Sequence, residues 1–486
     1  MAQIIIESPS TGIAQSPHVG VADVRQLDVD SIPGIAKLNT IMNKESASVV
    51  DAQITWFARD PDTPANIGVL DSNGVFYKST DSGDSWTEIS DRDGAGQGLI
   101  IKWGYAFVCE TTTIDVIKMS DNSVTNNWQT IDSDALWHPM ISSKNDNKIY
   151  GGAGRFIFSI EQLTTFDPSS GATYTFTQQA LDLPSGYRVK CLAELGNNLM
   201  IGTWQGTAVN QIRIADIFPW DRSATSFGQP ISLDEFGIHA LLNTGNVLTV
   251  LAGIEGVIYR CDGVNAYPVA RLPQDLSGGK YLEFYPGAIM NFKRKVFFGV
   301  SWTSSAVPGM GVYSLRNTSK GSILSLEHLP STGNDGTTNA LVIGALLPIT
   351  QDTCIVGWRD NTTYGIDLSS ATSYAYSSDY SGFFDSPIYE MGNDKNKWKP
   401  TQAELHLGRP LRTGEGFQLQ YRTSLADSFT TVKTLAFADN GVGAIISKTF
   451  TIQIPDNVKQ AEYVQFRVGL KGTSSTTPNF KFIKIM

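Results

Sequence analysis

The chain has 486 residues, of which 45 are glycine and 17% are charged, and its formal net charge at pH 7 is −10. This length exceeds one ordinary core, so we expect a large body with appended domains. The negative charge argues against a dedicated nucleic-acid binder, which needs concentrated Lys and Arg, but it is compatible with a wall along which DNA slides. The sequence has no uninterrupted run of about 18 apolar residues, the length that a helix needs to span a bilayer, so membrane insertion is not expected.

The first segment, residues 1–45, lacks a clear hydrophobic period and carries Pro17 and Pro33. We expect an extended N-terminal arm that packs on a neighbour. The opening MAQIII has no basic stretch followed by a long apolar core, so no export signal is expected.

Residues 46–384 contain repeated short apolar runs separated by Gly, Asn, Asp or Ser, with almost no helical period. Seven runs can be aligned: VVDAQITWFA, GLIIKWGYAFVCE, NDNKIYGGAGRFIFSI, CLAELGNNLMIGTW, HALLNTGNVLTVLAG, GAIMNFKRKVFFGVSW and GALLPITQDTCIVGW. Their starts lie roughly 45 to 55 residues apart, which matches four-stranded propeller blades. We predict a β-propeller of about seven blades, with six to eight possible. The last blade is expected to borrow a strand from the N-terminal region.

Residues 385–486 have longer strands with cleaner alternation, as in AELHLG and GFQLQYRT. About six to eight strands without a helix signal indicate a β-sandwich. The predicted fold class is therefore all-β, with an arm, a propeller and a C-terminal sandwich.

The sharpest local motif is STDSGDSW, which begins at Ser79. It resembles the Asp-box turn of propellers. In such a turn we expect the Asp81 carboxylate to accept backbone N–H bonds, Gly83 to have a positive φ, and Trp86 to pack onto the blade. The motif indicates structure, because it occurs in many propellers besides sialidases.

Catalytic patterns are not found. A sialidase needs an arginine cluster and a tyrosine nucleophile, which we cannot place, and there is no P-loop, GxSxG, HExxH or helix-opening GxGxxG. The four cysteines and five histidines are scattered, which favours buried free thiols over a metal site. We predict a non-enzyme without catalytic, cofactor-binding or metal-binding residues.

Several residues have a structural and a functional interpretation, and the structural one is favoured for each. GGAGR at 151–155 is expected to be a hairpin turn, and the paired acids are expected to be solvated or to form Asx-turns. The two histidines are expected to be partly buried with their hydrogen bonds satisfied. The tryptophans are expected to pack between blades. The acids, histidines and tryptophans concerned are Asp60, Asp62, Asp234, Glu235, His138, His239, Trp56, Trp103, Trp204, Trp302 and Trp358.

The two ends of the chain carry a family resemblance. The opening SPSTGIAQSPHVGVADVRQLDVDSIPGIAKLN resembles the start of tail-associated propeller proteins of tailed phages, and SPIYEMG followed by QAELHLGRPLRTGEGFQLQYRTSL resembles the sandwich after such propellers. This resemblance implies a structural virion protein of the phage tail, made in the host cytoplasm. It implies a tail nozzle or tail-tube-like ring, commonly sixfold, below the portal and adaptor.

In that interpretation the partners are other copies of the chain, the portal, the adaptor and other tail proteins, while DNA passes through without specific binding. The arm is expected to bind the adaptor or a neighbouring protomer. Its candidate assembly residues are Ile13, His18, Arg25, Leu27, Ile32 and Leu38.

Three alternatives remain open at this stage. One is a tail fibre or spike protein that binds a host receptor, although no coiled-coil or β-helical stalk is evident. Another is a glycosidase on a propeller, which convergent carboxylates about 5 to 10 Å apart would support. A third is a cellular propeller that acts as a binding scaffold.

Overall fold

A computed structural model describes most of the chain in terms of β-strands and one short 3-10 turn, Phe437–Asn440. The residues it describes are 4–7, 23–32, 35–44, 50–90, 94–133, 136–204, 215–223, 225–272, 282–302, 310–318, 321–328, 341–374, 380, 382–390, 400–424, 427–440, 448–458 and 461–486. The chain divides into two compact units. The propeller unit comprises Asn43–Gly311 and Thr338–Leu368, and the sandwich unit comprises Met1–Met42, Val312–Thr337 and Ser369–Met486.

The strands are numbered in chain order. The N-terminal strands are β1 Ile4–Glu7, β2 Asp23–Arg25, β3 Leu27–Ile32, β4 Ile35–Leu38 and β5 Met42–Lys44. The next two groups of four are β6 Ile54–Arg59, β7 Ile67–Asp71, β8 Phe76–Ser79 and β9 Thr87–Ser90, then β10 Gly98–Lys102, β11 Tyr105–Cys109, β12 Thr113–Lys118 and β13 Val124–Thr130. Three further groups are β14 Met140–Ser142, β15 Ile149–Ala153, β16 Phe156–Gln162 and β17 Tyr174–Asp182; β18 Arg188–Leu195, β19 Asn198–Trp204, β20 Ala215–Trp220 and β21 Ile231–Leu233; and β22 Ile238–Asn243, β23 Leu248–Ala252, β24 Val257–Cys261 and β25 Ala266–Arg271.

The remaining strands lie in the last two fifths of the chain. They are β26 Leu282–Glu283, β27 Ile289–Phe292, β28 Lys295–Trp302, β29 Gly311–Thr318, β30 Gly321–His328, β31 Leu341–Pro348, β32 Cys354–Asp360 and β33 Thr363–Ser369, followed by β34 Gly382–Asp385, β35 Tyr389–Glu390, β36 Gln402–Leu407, β37 Gly416–Arg422, β38 Thr430–Ala436, β39 Thr449–Gln453, β40 Tyr463–Lys471 and β41 Phe480–Ile485.

The propeller unit is a closed ring of seven antiparallel sheets. Strands β6 to β25 form the first five sheets, four strands each in chain order, β26 to β28 lie in the sixth, and β31, β32, β33 and β5 form the seventh in that order. The inner strands β6, β10, β14, β18, β22, β27 and β31 contact one another in sequence, and β31 also contacts β6. Seven is therefore the blade number, and a strand from the N-terminal region completes the last sheet as expected. Stacking buries the apolar faces that one sheet alone would leave in water.

The inner strands share a local irregularity. In four sheets the pairing of the innermost two strands skips one residue: Thr55, Lys190, His239 and Gly344. Such a β-bulge bends the strand and redirects the side chain of the extra residue. Gly344 sits where a Cβ atom would lie 1.8 Å from the Ile54 carbonyl oxygen of the adjacent sheet, so this position excludes a side chain.

The sandwich unit is built from two sheets. One has the order β3-β4-β41-β36-β39, with β1 also paired to β41, and the other has the order β29-β30-β2-β34-β40-β37-β38, with β35 paired to β40. Their inner faces meet at three aromatic rings: Phe480 lies 5.3 Å from Phe384 and 6.1 Å from Phe417, measured between ring centroids. All three rings are fully buried, so the expected C-terminal sandwich has a well-packed core.

The structure draws the boundaries between units differently from the expected division at residues 45 and 384. Strands β29 and β30 lie in the sandwich unit, where Gln26 donates its backbone N–H to the Leu326 carbonyl at 2.9 Å. The N-terminal segment is likewise part of the sandwich, because Ile4 pairs with Ile485 and Ala36 pairs with Phe480. Sequence periodicity misses both features, since strand pairing between distant segments leaves no local signal.

A buried polar network also ties the N-terminal segment into the sandwich. The Glu327 carboxylate is 1% exposed. It accepts hydrogen bonds from the Asn39 amide at 2.5 Å, the Ser314 hydroxyl at 2.5 Å and the Ser325 hydroxyl at 2.9 Å. A carboxylate without water is tolerated only when several donors satisfy it, so this network fixes Asn39 against strands β29 and β30.

Candidate functional sites

The motif that begins at Ser79 forms one tight turn after strand β8. The Ser79 hydroxyl donates to Asp81 Oδ1 at 2.7 Å and accepts the backbone N–H of Gly83 at 2.8 Å. Asp81 Oδ1 also accepts the backbone N–H of Ser85 at 2.9 Å. These bonds satisfy the turn's own backbone donors, so the polar groups of the motif are used inside the turn.

The turn lies on the seam where the ring closes. Gly83 has a φ of +101°, and a Cβ atom there would lie 3.2 Å from Cγ2 of Ile355 in the seventh sheet. Trp86 is 7% exposed and packs in one apolar cluster with Ile54 and Ile355. The motif therefore joins the first sheet to the last, which is a structural role.

The axis of the propeller holds a buried pair of titratable groups. Lys190 and His239 occupy the bulge positions of the fourth and fifth sheets, and Lys190 Nζ lies 2.6 Å from His239 Nδ1. Burial lowers the pKa of Lys190 to about 8, while the nearby Glu283 carboxylate acts in the opposite direction. Burial and the neighbouring Lys190 hold the pKa of His239 well below its usual value. The neutral imidazole therefore accepts a hydrogen bond from the ammonium group.

Aromatic rings enclose this pair. Lys190 Nζ lies 5.3 Å from the Trp137 ring centroid and 5.0 Å from that of Trp204, and Trp137 makes an edge contact with Tyr285 at 5.6 Å. Cation–π attraction stabilises a desolvated ammonium between such rings. Trp56 belongs to the same apolar cluster as these three rings, so large side chains converge on this part of the axis.

The other tryptophans expected to pack between blades have varied positions. Trp358 is fully buried and Trp103 is half-buried against Phe166, with ring centroids 5.6 Å apart. The side chain of Trp302 lies outside the described part of the structure.

His138 and the paired acids have structural surroundings. The His138 ring is fully buried and lies 2.9 Å from the Gly152 carbonyl and 3.2 Å from the Thr111 carbonyl. Asp60 accepts the backbone N–H of Asp62 at 3.0 Å, which is an Asx-turn as expected.

Glu235 differs from the expected solvated loop residue. Its side chain is buried and accepts the Tyr259 hydroxyl at 2.8 Å, whereas Asp234 is exposed. Glu235 alternates with Asp234 at the entry to strand β22, and that alternation turns one of the two acids into the interior.

The expected glycine-rich hairpin and the thiols fit the sequence analysis. Residues 151–153 end strand β15, and a Cβ atom on Gly151 would lie 2.1 Å from the Phe158 ring of the partner strand. Cys109, Cys191, Cys261 and Cys354 are buried and free. Among the described residues, no group of three or more His, Cys, Asp or Glu side chains could hold a metal ion.

The proposed assembly residues are not one exposed surface. Ile13 and His18 lie outside the described residues, and Ile32 is described only as a backbone position that pairs with Ile35. Leu27 and Leu38 are 0% and 1% exposed. These two leucines fill the core of their own unit, so the assembly contacts expected of them are not on its surface.

Arg25 has a different environment. It lies on the outward face of the second sandwich sheet, where its Cζ is 5.3 Å from the Phe383 ring centroid. Arg467 Cζ lies 3.7 Å from the centroid of the Phe383 ring and 4.0 Å from that of the Phe429 ring, and Arg422 Cζ lies 4.6 Å from the centroid of Phe429. We name this row of alternating side chains the arginine ladder.

Hydrogen bonds hold the ladder in place. Arg467 binds the buried Asp385 carboxylate with two bonds, of 2.6 and 2.8 Å, and Arg422 Nε donates to the Gln465 side-chain oxygen at 2.8 Å. Arg467 is thus paired with a carboxylate, and Arg25 and Arg422 each lie over a phenylalanine ring of the ladder. The ladder therefore brings three arginines and two phenylalanines together on a chain whose formal net charge is −10.

Sequence reasoning missed Lys190 and most of the ladder. A lysine inside the apolar run VKCLAEL was one available signal for the axis. In AEYVQFRV the alternation places Arg467 on the face opposite the buried Phe466. Neither signal identifies the partner residue, because Phe383 and His239 lie on other strands.

The chain is similar to several solved structures at low sequence identity. No protein-family model matches the chain, and no curated protein matches it. The extracellular domain of BT4673 from B. thetaiotaomicron is 14% identical with a TM-score of 0.46, over 77% of this chain and 45% of that one. YCF48 bound to a D1 peptide is 11% identical with a TM-score of 0.44, over 71% of this chain and 97% of that one.

The WD40 repeats of RRP9 are 11% identical with a TM-score of 0.46, over 68% of this chain and 99% of that one. The chain thus spans less than half the length of the BT4673 domain and nearly all of the two smaller propellers. None of the described segments forms a helix long and apolar enough to cross a membrane.

Proposed function

We propose that this chain is a non-enzymatic structural protein of a phage tail, which assembles as a ring around the path of the DNA. The observation that carries the proposal is the arginine ladder. It joins Arg25, from the N-terminal segment that resembles phage tail proteins, with Arg422, from the C-terminal segment that shares this resemblance. Both resembling segments thus contribute to one unit and to one outward face.

Electrostatics supports a role of this face in assembly. A ring places the same two surfaces of each protomer in contact, so the two surfaces must be complementary. The ladder consists of three arginines and two phenylalanines, and arginine and aromatic side chains are enriched in protein interfaces. The surrounding chain is acidic overall, and we propose that the ladder meets an acidic surface of the adjacent protomer.

The buried groups of the axis favour a structural role over catalysis. Lys190 and His239 bond to each other, and aromatic rings surround them. The polar groups of the turn at Ser79 are bonded within that turn. These contacts give each group a structural partner, which fits a rigid scaffold.

The oligomeric state tests the proposal. We expect mass photometry and negative-stain images of the purified protein, alone and with the cognate portal–adaptor complex, to show a closed ring, sixfold by the family resemblance. A monomer or trimer that ignores the adaptor would contradict the proposal and favour host recognition.

A paired set of variants tests the ladder itself. Arg25→Gln with Arg422→Gln removes two positive charges from the ladder, and we expect it to lower the ring fraction several-fold while the unfolding midpoint changes little. Lys448→Gln with Lys481→Gln removes the same charge from exposed positions of the other sandwich sheet. Equal losses of ring in both double variants would mean that net charge, and not the ladder, controls assembly.

A further inference from the structure

A groove of about 560 Å³ lies between the fourth and fifth sheets of the propeller. Its walls come from the start of β19, the segment that follows β20 and the turn between β24 and β25. The side chains that matter here are Asn198, Asp221, Phe227, Gln229, Val264 and Asn265. This volume is in the range of pockets that bind small molecules.

Internal contacts hold the wall formed by the segment after β20. Arg222 is 7% exposed in its side chain and donates to the Asn197 carbonyl at 2.7 Å and to Glu194 at 2.5 Å. Gly228 donates its backbone N–H to the Pro219 carbonyl at 2.7 Å. The groove is therefore formed before any ligand arrives, which lowers the entropic cost of binding.

The polar side chains of the groove are amides, hydroxyls and one carboxylate. Asn198, Gln229 and Asn265 offer amide donors and acceptors. Asp221 uses Oδ1 to accept the backbone N–H and the hydroxyl of Ser223, at 2.9 and 2.8 Å. Those two bonds lower the pKa of Asp221, so its carboxylate is charged at neutral pH and can accept further hydrogen bonds through Oδ2.

Apolar groups complete the lining. Phe227 is half-buried, and its ring makes an edge contact with Phe218 at 4.8 Å, which fixes its orientation. Val264 is 75% exposed beside it in the lining. Among the described residues that line the groove there is no Lys, Arg or His, so phosphate, sulfate and carboxylate groups find no positive partner.

We propose that this groove binds a neutral oligosaccharide. Sugar hydroxyls donate to Asp221 and exchange hydrogen bonds with the amides, and the apolar C–H face of a sugar ring packs on Phe227. Amide, carboxylate and aromatic groups together match the alternating polar and apolar faces of a sugar. This site is independent of ring assembly, because none of its residues belongs to the arginine ladder.

Saturation-transfer NMR with the full chain tests the proposal. The neutral probes are maltotriose and chitotriose, and the anionic probes are sialyllactose and a heparin tetrasaccharide. We expect at least one neutral probe to bind and neither anionic probe to bind better. Asp221→Asn should weaken that binding roughly ten-fold, because a hydrogen bond to a charged acceptor becomes one to a neutral acceptor, and Gln229→Ala should weaken it as well.

Asp167→Asn is the matched control. Asp167 forms the same turn, accepting the backbone N–H and hydroxyl of Ser169 at 2.9 and 2.7 Å, but it does not line the groove. The Asp167→Asn variant should bind the neutral probe as wild type does. Unfolding midpoints of Asp167→Asn and Asp221→Asn equal to that of wild type would show that both variants are folded. The proposal is overturned if neither neutral probe binds, if an anionic probe binds more tightly, or if Asp167→Asn weakens binding as much as Asp221→Asn.

Discussion

Lys190 Nζ lies 2.6 Å from His239 Nδ1 in the interior of the propeller, and each residue occupies the β-bulge of its strand. A β-bulge adds one residue to a strand and turns its side chain out of the regular alternation. Two bulges in neighbouring sheets therefore bring a lysine and a histidine together where regular strands would place apolar side chains. The cost of burying the ammonium group is offset in part by the imidazole and the two tryptophan rings.

The stability of the protein should depend on pH through Lys190. Burial lowers the pKa of Lys190 to about 8 in the folded chain, against the ordinary 10.5 of a solvated lysine, so the unfolded state binds more protons between these two values. The contribution of Lys190 to the free energy of unfolding should therefore rise with pH across this range, by up to about 3 kcal/mol. Below about pH 8 the full cost of the buried charge is present.

Chemical denaturation at pH 7.5 and pH 10 measures this effect. The free energy of unfolding of wild type minus that of Lys190→Met should rise between these two pH values. The same difference for Lys118→Met, at an exposed lysine, should stay nearly constant. Parallel pH dependences of wild type and Lys190→Met would contradict the assignment.

Gly83→Ala should destabilise the closing seam of the ring. The substitution places a Cβ on a residue with a φ of +101° and 3.2 Å from the Ile355 methyl group, and we expect the free energy of unfolding to fall by about 1–3 kcal/mol. Gly245→Ala is the control, because Gly245 has a φ of +107° and open space around it. The loss at Gly83 should exceed the loss at Gly245, and equal losses would assign the effect to the backbone alone.

Leu38→Ala should destabilise the sandwich unit. Leu38 is 1% exposed, and large-to-small substitutions in a core typically cost about 2–5 kcal/mol. Leu163→Ala serves as the control, because Leu163 is 55% exposed and should change the free energy of unfolding by less than about 0.5 kcal/mol. If Leu38→Ala were as stable as wild type, the N-terminal segment would behave as a separable arm.

Arg467→Lys should weaken the arginine ladder from within. Lysine cannot make two parallel bonds to Asp385 or stack its charge between Phe383 and Phe429. We expect a loss of about 2 kcal/mol in the free energy of unfolding by chemical denaturation. Arg422→Lys removes one bond to Gln465 and contact with one ring, so it should cost less. The reverse order would show that Arg467 is not the centre of the ladder.

Much of the propeller could be predicted from the sequence. The spacing of the apolar runs and the polar turns between them are local properties, and they predict about seven sheets, with six to eight possible. The turn at Ser79 was also predictable, because its determinants lie within a few residues of one another. The Ser79 hydroxyl is hydrogen-bonded to Asp81 and Gly83, and Gly83 has the positive φ that bends the backbone. The borrowed strand β5 was expected because a ring must close.

The candidate sites were harder to predict from the sequence. Glu235 was expected in solvent and is buried, because only the contact with Tyr259 determines which of two adjacent acids turns inward. Arg25 was selected as an assembly residue from the resemblance, but its place in the ladder depends on Phe383, which lies more than 350 residues later in the chain.

The sequence by itself determined the all-β class, the seven repeated units and the turn chemistry, because these depend on side-chain alternation and on hydrogen bonds between near neighbours. Only the tertiary structure decided that the N-terminal segment belongs to the sandwich, that Lys190 meets His239 and that three arginines stack on two phenylalanines. Each of these contacts joins strands that are distant in the chain. Their free energy comes from burial and charge at the point of contact, which no local pattern records.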